Sequence, residues 1–135
     1  MDIKNSRALK ILVVDDMASM RMFIRAVLNQ MRIFDILEAR NGQGALKVLA
    51  EKDNIDMVIC DWNMPGMTGL EVLRSVRANP ELQGLPVLMV TAEKSQAQVK
   101  DAVIAGVTGY VAKPFTPEVL EAHIEACLRK RVRSS

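Results

Sequence analysis

Residues 11–16 have the sequence ILVVDD, an apolar run of strand length that ends in two aspartates. Three later runs have the same form: MVIC stands before Asp61, VLMV before Thr91 and YVA before Lys113. Runs of bulky and β-branched residues of this length predict buried strands. If the strands are parallel, the polar residues after them lie at one edge of the sheet, where open α/β folds bind ligands. The pattern therefore predicts a single site at the ends of four strands.

Helical patterns separate these runs. The first helix is predicted from apolar residues at i, i+4, i+7 and i+8, namely Met20, Ile24, Val27 and Leu28. A weak strand follows at 35–38, and further helices are predicted over residues 44–50, 70–76, 96–105 and 117–128. Strands that alternate with helices indicate a parallel sheet covered on both faces. With right-handed crossovers, we predict one doubly wound α/β domain, a five-stranded parallel sheet of order 2-1-3-4-5 with five helices.

Composition excludes several classes of protein. The 135 residues suffice for one domain, and 50% hydrophobic with 25% charged residues argues against disorder. The net charge of +2 is too small to indicate nucleic-acid binding, and the basic end complements a helix dipole. Without a long apolar run or a signal peptide, we expect a cytoplasmic chain with no membrane insertion. Cys60 and Cys127 are expected to be small core residues.

The acidic residues predict a metal site. Asp15 and Asp16 follow the first strand, and Asp61 follows the strand expected beside it. Carboxylates about 4 Å apart repel one another by roughly 4 kcal/mol per pair at an effective dielectric near 20, so a cation is needed to offset the repulsion. The ligands are hard oxygens, and no His or Cys belongs to the group. We therefore expect Mg²⁺, with Mn²⁺ as the alternative, rather than zinc.

Asp61 is predicted to be a nucleophile. In the predicted fold it is the only carboxylate flanked in space by both Thr91 and Lys113, the two residues suited to hold a phosphoryl group. A carboxylate is ionised at neutral pH and needs no general base, so attack on phosphorus would produce an aspartyl phosphate. Lys113 would stabilise the oxygens of the transferring group. Taken singly, an Asp or Thr after a strand is usually a cap or turn residue; the coincidence of four complementary positions favours the site.

Four segments carry a family resemblance: ILVVDD, CDWNMPGMTGLEVL, PVLMVTAE and GYVAKPF. They resemble the receiver domains of bacterial two-component response regulators, and within that family the stand-alone chemotaxis regulators. The resemblance implies an N-terminal extension at residues 1–9, a receiver domain at 10–128 and a basic C-terminal tail at 129–135. It also implies a phosphorylation-activated signalling switch that receives its phosphoryl group from a histidine kinase. Such a protein catalyses only its own phosphorylation and dephosphorylation and is not a turnover enzyme.

The resemblance also implies roles for the residues of the acidic site. Asp61 matches the phosphoacceptor of the family. Asp16 matches the residue that binds Mg²⁺ directly, and Asp15 the one that acts mainly through water. Asn63 matches the residue that offers its backbone carbonyl to the metal.

Other roles concern the phosphoryl group and its effect. Thr91 matches the switch hydroxyl, and Lys113 the lysine that pairs with the phosphate. Tyr110 matches the aromatic residue that moves inward when Thr91 turns toward the phosphate. The resemblance further implies a cis peptide bond between Lys113 and Pro114. Trp62, beside Asp61, is expected to report on the site by its fluorescence even if it is only a packing residue.

The face implied for partner binding comprises parts of the fourth helix, fifth strand and fifth helix, with Lys94, Val99, Val103, Tyr110 and His123. Val99 and Val103 share a helix face because they are four residues apart; inward packing of both is the alternative. Lys94, Ala112 and His123 depart from the usual residues of chemotaxis regulators and leave the output partner open. A downstream protein target is expected, with the flagellar motor switch and a phosphatase as candidates.

Two alternatives remain open at this stage. The chain could be a receiver domain excised from a larger transcription factor or output enzyme, with the same chemistry. It could also be a phosphohydrolase with an aspartate nucleophile, because Asp61 and Asn63 loosely resemble the Asp-x-Asp pair of haloacid dehalogenases. That chemistry needs an acid at the second position to protonate the leaving group, which Asn63 cannot do.

Overall fold

The computed structural model describes residues 8–92 and 95–130, and in them five strands alternate with five helices. The strands are β1 (Lys10–Val14), β2 (Asp35–Ala39), β3 (Met57–Asp61), β4 (Val87–Thr91) and β5 (Gly109–Ala112). The helices are α1 (Ala18–Gln30), α2 (Gly42–Glu51), α3 (Gly69–Ala78), α4 (Gln96–Ala105) and α5 (Pro117–Arg129). The strands pair in parallel in the order β2-β1-β3-β4-β5, so the predicted sheet is confirmed.

Alternating strand residues build two apolar cores, one on each face of the sheet. In β1, Leu12 and Val14 belong to the core beneath α2, α3 and α4. Ile11 and Val13 belong to the core beneath α1 and α5. Because the central strands are buried on both faces, their sequences are continuous apolar runs rather than alternating ones. The two cysteines are buried and unpaired, as predicted: Cys60 lies in the first core and Cys127 in the second.

The ends of some elements differ from the prediction. Helix α2 begins at Gly42, two residues before the predicted start, because the Asn41 side chain accepts a hydrogen bond from the Gly44 N–H at 2.7 Å and caps the helix. Asp61 and Thr91 are the last residues of β3 and β4 and not the first residues of the loops. The sheet itself therefore holds these two side chains in place.

Over most of its length, helix α4 packs only loosely against the core. Of its residues, all of which the structure describes, only Ala102 is buried, and Val103 and Ile104 are 63% and 73% exposed. Its C-terminal end is held by Arg77 of α3, whose Nε donates to the Gly106 carbonyl at 2.9 Å. No helix in the described part of the chain is long and apolar enough to cross a membrane.

Candidate functional site

Three carboxylates converge at the C-terminal edge of the sheet. Asp15 follows β1 and Asp61 ends β3, and these strands are neighbours, with Val14 opposite Cys60. Within the described residues, oxygens of Asp15, Asp16 and Asp61 all lie within 4.8 Å of one another. Asp15 and Asp61 are buried, whereas Asp16 is exposed. A group of hard oxygen donors with one open side fits a divalent cation that keeps several of its waters.

Lys113 joins the same site from the far side of β4. Its backbone N–H donates to the Thr91 carbonyl at 2.8 Å, and the Lys113–Pro114 peptide bond is cis, as the resemblance implied. Its Nζ lies 3.4 Å from Asp61 Oδ1 and 3.4 Å from Asp15 Oδ2. The prediction singled out Asp61 as the carboxylate next to the lysine. In the structure the ammonium group is shared between two buried carboxylates.

The pKa of Asp61 is raised above its ordinary value. Burial is the main cause, because it disfavours the charged form, and the negative charge of Asp15 adds to it. The ammonium group of Lys113 and a hydrogen bond from the Asn63 backbone N–H act in the opposite direction. The carboxylate at the centre of the site is therefore costly to ionise until a cation offsets its charge.

The loop after β3 folds back tightly onto the site. The Gly69 N–H donates to the Trp62 carbonyl at 2.9 Å. A Cβ atom at Gly69 would collide with the Asp61 carbonyl oxygen and lie 2.8 Å from Trp62 Cα, so only glycine permits this approach. The Asn63 side chain is exposed, while its backbone lies beside Asp61. The backbone N–H of Asn63 thus contacts Asp61, and the metal-binding role of its carbonyl stays a prediction.

An aromatic pair lies beside the acidic cluster. The buried Trp62 packs edge to face against Tyr110 of β5, with ring centroids 6.4 Å apart and an interplanar angle of 65°. Thr91, at the end of the intervening strand, is fully buried. The sequence did not predict the contact, because Trp62 was expected in a loop and Tyr110 follows it only 48 residues later in the chain. Any movement of Tyr110 will change the surroundings of Trp62.

The predicted partner face is only partly open to solvent. Val103 is exposed and Val99 is partly buried, so the alternative that both valines pack inward is wrong for Val103. His123 is also partly buried, with its Nδ1 atom 2.9 Å from the Val119 carbonyl oxygen. Lys94 lies outside the described residues.

An ion-pair cluster next to Asp15 was not predicted. Glu38 of β2 accepts from Arg21 Nε at 2.8 Å and from Arg25 Nη2 at 2.7 Å, and both arginines belong to α1. Their hydrogen bonds, that of Arg25 above all, lower the pKa of Glu38. The spacing of four residues between the arginines indicates a shared helix face. The sequence offers no comparable sign that Glu38 lies against that face.

Comparison with known proteins agrees with this geometry. The family profile described as "Response regulator receiver domain" matches residues 11–125. The Pseudomonas aeruginosa chemotaxis protein CheY is 50% identical over 117 residues, which cover 87% of this chain and 94% of that protein. Vibrio cholerae CheY-3 is 42% identical over 120 residues, with 89% and 92% covered.

Solved structures give the same result. Vibrio cholerae CheY4 superposes with a TM-score of 0.81 at 33% identity, and the match covers 88% of this chain and 98% of that one. The receiver domain of a Syntrophus aciditrophicus histidine kinase has a TM-score of 0.84 at 26% identity, with 95% and 96% covered. A profile that spans most of the chain and relatives well above 30% identity establish the family. The chain belongs to the response regulator receiver domains and is homologous to the CheY chemotaxis regulators, which are phosphorylation-activated switches.

Proposed function

We propose that Asp61 accepts a phosphoryl group from a histidine kinase and that this event switches the protein's affinity for a downstream partner. The observation that carries the proposal is the position of Lys113 Nζ, 3.4 Å from both Asp61 and Asp15, within a cluster of three carboxylates. A lone ammonium group balances only part of that charge. The remaining negative charge suits a cation, and the lysine suits an incoming anionic phosphoryl group.

The transfer exchanges one bond to phosphorus for another. An oxygen of Asp61 bonds to phosphorus while the bond between phosphorus and the imidazole nitrogen of a phosphohistidine breaks, and the electron pair of that bond stays on the imidazole. Lys113 is within reach to donate hydrogen bonds to the oxygens of the moving group. Its charge acts strongly because Asp61 and Asp15 are buried, which lowers the local dielectric. Position and electrostatics supply most of the catalysis in reactions of this kind.

We assign the cation as Mg²⁺, with Mn²⁺ as a substitute, held by Asp15, Asp16, Asp61 and the backbone carbonyl of Asn63. The support is chemical: the site offers only hard oxygen atoms, which these ions prefer. When bound, Mg²⁺ neutralises charge on the nucleophile and on the phosphoryl oxygens. The exposed Asp16 leaves the site open to ion exchange.

The chemical event is relayed to a surface. Thr91 is proposed to turn its hydroxyl toward the phosphoryl group, and Tyr110 to move inward, which shifts an equilibrium that exists before phosphorylation. The partner surface would comprise Lys94, Val99, Val103, Tyr110 and His123. In support, α4 buries little of itself, and Val103 is exposed although it is apolar.

The CheY relatives are chemotaxis proteins, and we propose a downstream protein target, with the flagellar motor switch and a phosphatase that resets the signal as candidates. As a family, receivers like CheY are signalling proteins and generally not turnover enzymes, and they receive phosphate from a histidine kinase and act on downstream targets. The excised-receiver and phosphohydrolase alternatives are not favoured by these relatives. A cytoplasmic location remains a proposal that rests on the family.

The division into an extension at 1–9, a receiver at 10–128 and a tail at 129–135 also remains a proposal. It is supported by the start of β1 at Lys10 and by the match over 11–125.

Intact mass measurement after incubation with Mg²⁺ and acetyl phosphate tests the phosphoacceptor. The wild-type protein should gain one phosphoryl group, and Asp61→Asn should gain none. Asp56→Asn is the matched control, because Asp56 is also buried and stands at the other end of the same strand segment. Phosphoryl gain by Asp61→Asn, or its loss in Asp56→Asn, would contradict the assignment.

A further inference from the structure

Arg21 connects the ion-pair cluster to the metal site. Its Nε donates to Glu38 Oε1 at 2.8 Å, and its Nη1 donates to the backbone carbonyl of Asp15 at 2.7 Å. The Arg21 side chain is 17% exposed and that of Glu38 is 33% exposed, so the hydrogen bond to the Asp15 carbonyl is the better shielded from water. Its planar guanidinium group allows Arg21 to hold two acceptors in fixed directions at once, which a lysine cannot do.

The rest of Asp15 is held from other directions. Its N–H donates to the Ala39 carbonyl at 3.1 Å, and its Oδ1 accepts from the Met17 N–H at 2.9 Å. The carbonyl that Arg21 binds is part of the same planar peptide group as the N–H of Asp16. Rotation of that peptide group would therefore move Asp16, the exposed carboxylate of the cluster. Arg21 opposes such a rotation.

We propose that Arg21 is a positioning residue of the cation site: it fixes the peptide between Asp15 and Asp16, and Glu38 orients its guanidinium group. The inference rests on the proposed function, because it takes the cluster of Asp15, Asp16 and Asp61 as the site of the cation. Groups that orient metal ligands typically change metal affinity by about 10- to 100-fold when removed.

A purely electrostatic role for Arg21 would have the opposite effect. The positive charge of an arginine repels a cation bound nearby, so its removal should strengthen Mg²⁺ binding. Removal of a positioning hydrogen bond should weaken binding, because the carboxylates then spend less time in the geometry that the ion requires. The sign of the change in affinity therefore separates the two roles.

Arg25 provides a matched control on the same helix. It binds the same Glu38, through Nε at 3.1 Å and Nη2 at 2.7 Å. Among the described residues, Arg25 donates its side-chain hydrogen bonds to Glu38 and none to Asp15. Loss of Arg25 removes a positive charge and an ion pair near the site, but leaves the Asp15 carbonyl bound.

The experiment titrates the full chain with MgCl₂ at constant ionic strength and follows Trp62 emission, with calorimetry as a second readout. We expect Arg21→Met to weaken Mg²⁺ binding about 10-fold or more, and Arg25→Met to leave it within about 2-fold of wild type or slightly tighter. Arg21→Lys keeps the charge but not the two-way contact, and it should weaken binding as well. Equal affinity in wild type and Arg21→Met, or tighter binding, would overturn the proposal, as would equal weakening in Arg25→Met.

Two further readouts keep the result interpretable. If Arg21→Met does not fold, the comparison of Arg21→Lys with Arg25→Lys decides instead: weaker binding in the former alone supports positioning, and equal affinities overturn it. Acetyl phosphate labelling of the wild type is measured in parallel. If the wild type is labelled and Arg21→Met binds Mg²⁺ as tightly as the wild type does, only the positioning role of Arg21 is refuted. If the wild type is not labelled and Arg21→Met binds Mg²⁺ more weakly than the wild type does, only the phosphoacceptor proposal is refuted.

Discussion

Replacement of Asp61 by Asn should stabilise the cation-free protein. At an effective dielectric of about 20, the charges of Asp61 and the buried Asp15, taken at the upper limit of 4.8 Å, repel each other by about 3.5 kcal/mol, whereas the charge of the exposed Asp16 is screened by water. Attraction between Lys113 and Asp61 at 3.4 Å is about 5 kcal/mol on the same scale. The charge interactions thus favour ionisation by roughly 1.5 kcal/mol. The pKa of Asp61 is nevertheless raised, so the cost of burying its charge is larger than this gain.

The net stabilisation follows from that balance. Burial of an ion costs several kcal/mol in real proteins, which leaves a net penalty of about 1–3 kcal/mol for the ionised carboxylate. Asn has nearly the same shape and no charge, so it avoids this penalty. In a domain of this size one kcal/mol changes the melting temperature by about 3–5 °C. We therefore expect Asp61→Asn to melt about 3–15 °C above wild type at neutral pH in EDTA.

The pH dependence identifies the cause. A carboxyl group with a raised folded-state pKa makes the wild type lose stability as pH rises from its ordinary pKa of 3.8 through the folded-state pKa. Asn does not titrate, so the advantage of the variant should be full at neutral pH and should disappear below pH 3.8. Saturating Mg²⁺ should also reduce it, because the ion stabilises the wild type more.

Thermal melts followed by circular dichroism test this reasoning, with Asp35→Asn as an exposed control. A variant that melts at or below the wild-type temperature at neutral pH in EDTA would refute it. An advantage that is the same at pH 3.5 and pH 7 would show that charge is not the cause.

Two further predictions concern helix α4. Beryllofluoride, a mimic of the phosphoryl group on Asp61, should change backbone NMR shifts at Val99, Val103 and Tyr110 in the presence of Mg²⁺; changes confined to the loop after Asp61 would exclude this face as the output. Arg77→Met should lower the free energy of unfolding by about 2 kcal/mol in urea titrations, because it leaves the partly buried Leu85 carbonyl without its guanidinium donor, whereas the exposed Arg74→Met should change it by less than about 0.5 kcal/mol.

The sheet and the convergence of the site were predictable from the sequence because each strand that contributes to the site is a continuous apolar run. A continuous run of bulky apolar residues, without alternation, indicates a strand that is buried on both faces. Parallel pairing then brings the residues at the ends of these strands to one edge of the sheet. That argument needs no knowledge of individual contacts. It placed Asp15, Asp61, Thr91 and Lys113 together correctly. It placed the ends of elements less well, since the start of α2 depends on a single side-chain hydrogen bond from Gly44 to Asn41.

The contacts that tune the site were not predictable in the same way. Arg21 forms its two hydrogen bonds because α1 packs in an orientation that brings this side chain to both the Asp15 carbonyl and Glu38 of β2. The shared position of Lys113 depends on its side-chain conformation and on the distance across β4. Long flexible side chains have many conformations of similar energy, and only the packed surroundings select one. Sequence patterns describe which face a residue occupies but not that selection.

The two ends of α4 differ in how they are attached, and this difference bears on switching. At the C-terminal end Arg77 donates to the carbonyls of Gly106 and Leu85 and to the Thr108 hydroxyl, so one side chain of α3 holds both the segment after α4 and the segment before β4. Toward the N-terminal end, residues 96–101 contribute no fully buried side chain. If Thr91 turns as proposed, movement passed to α4 should meet little resistance in the first turns of the helix and should be opposed at its last turn. On that proposal, a small free energy from phosphorylation would suffice to reorient the N-terminal turns of α4 without unpacking the core beneath them.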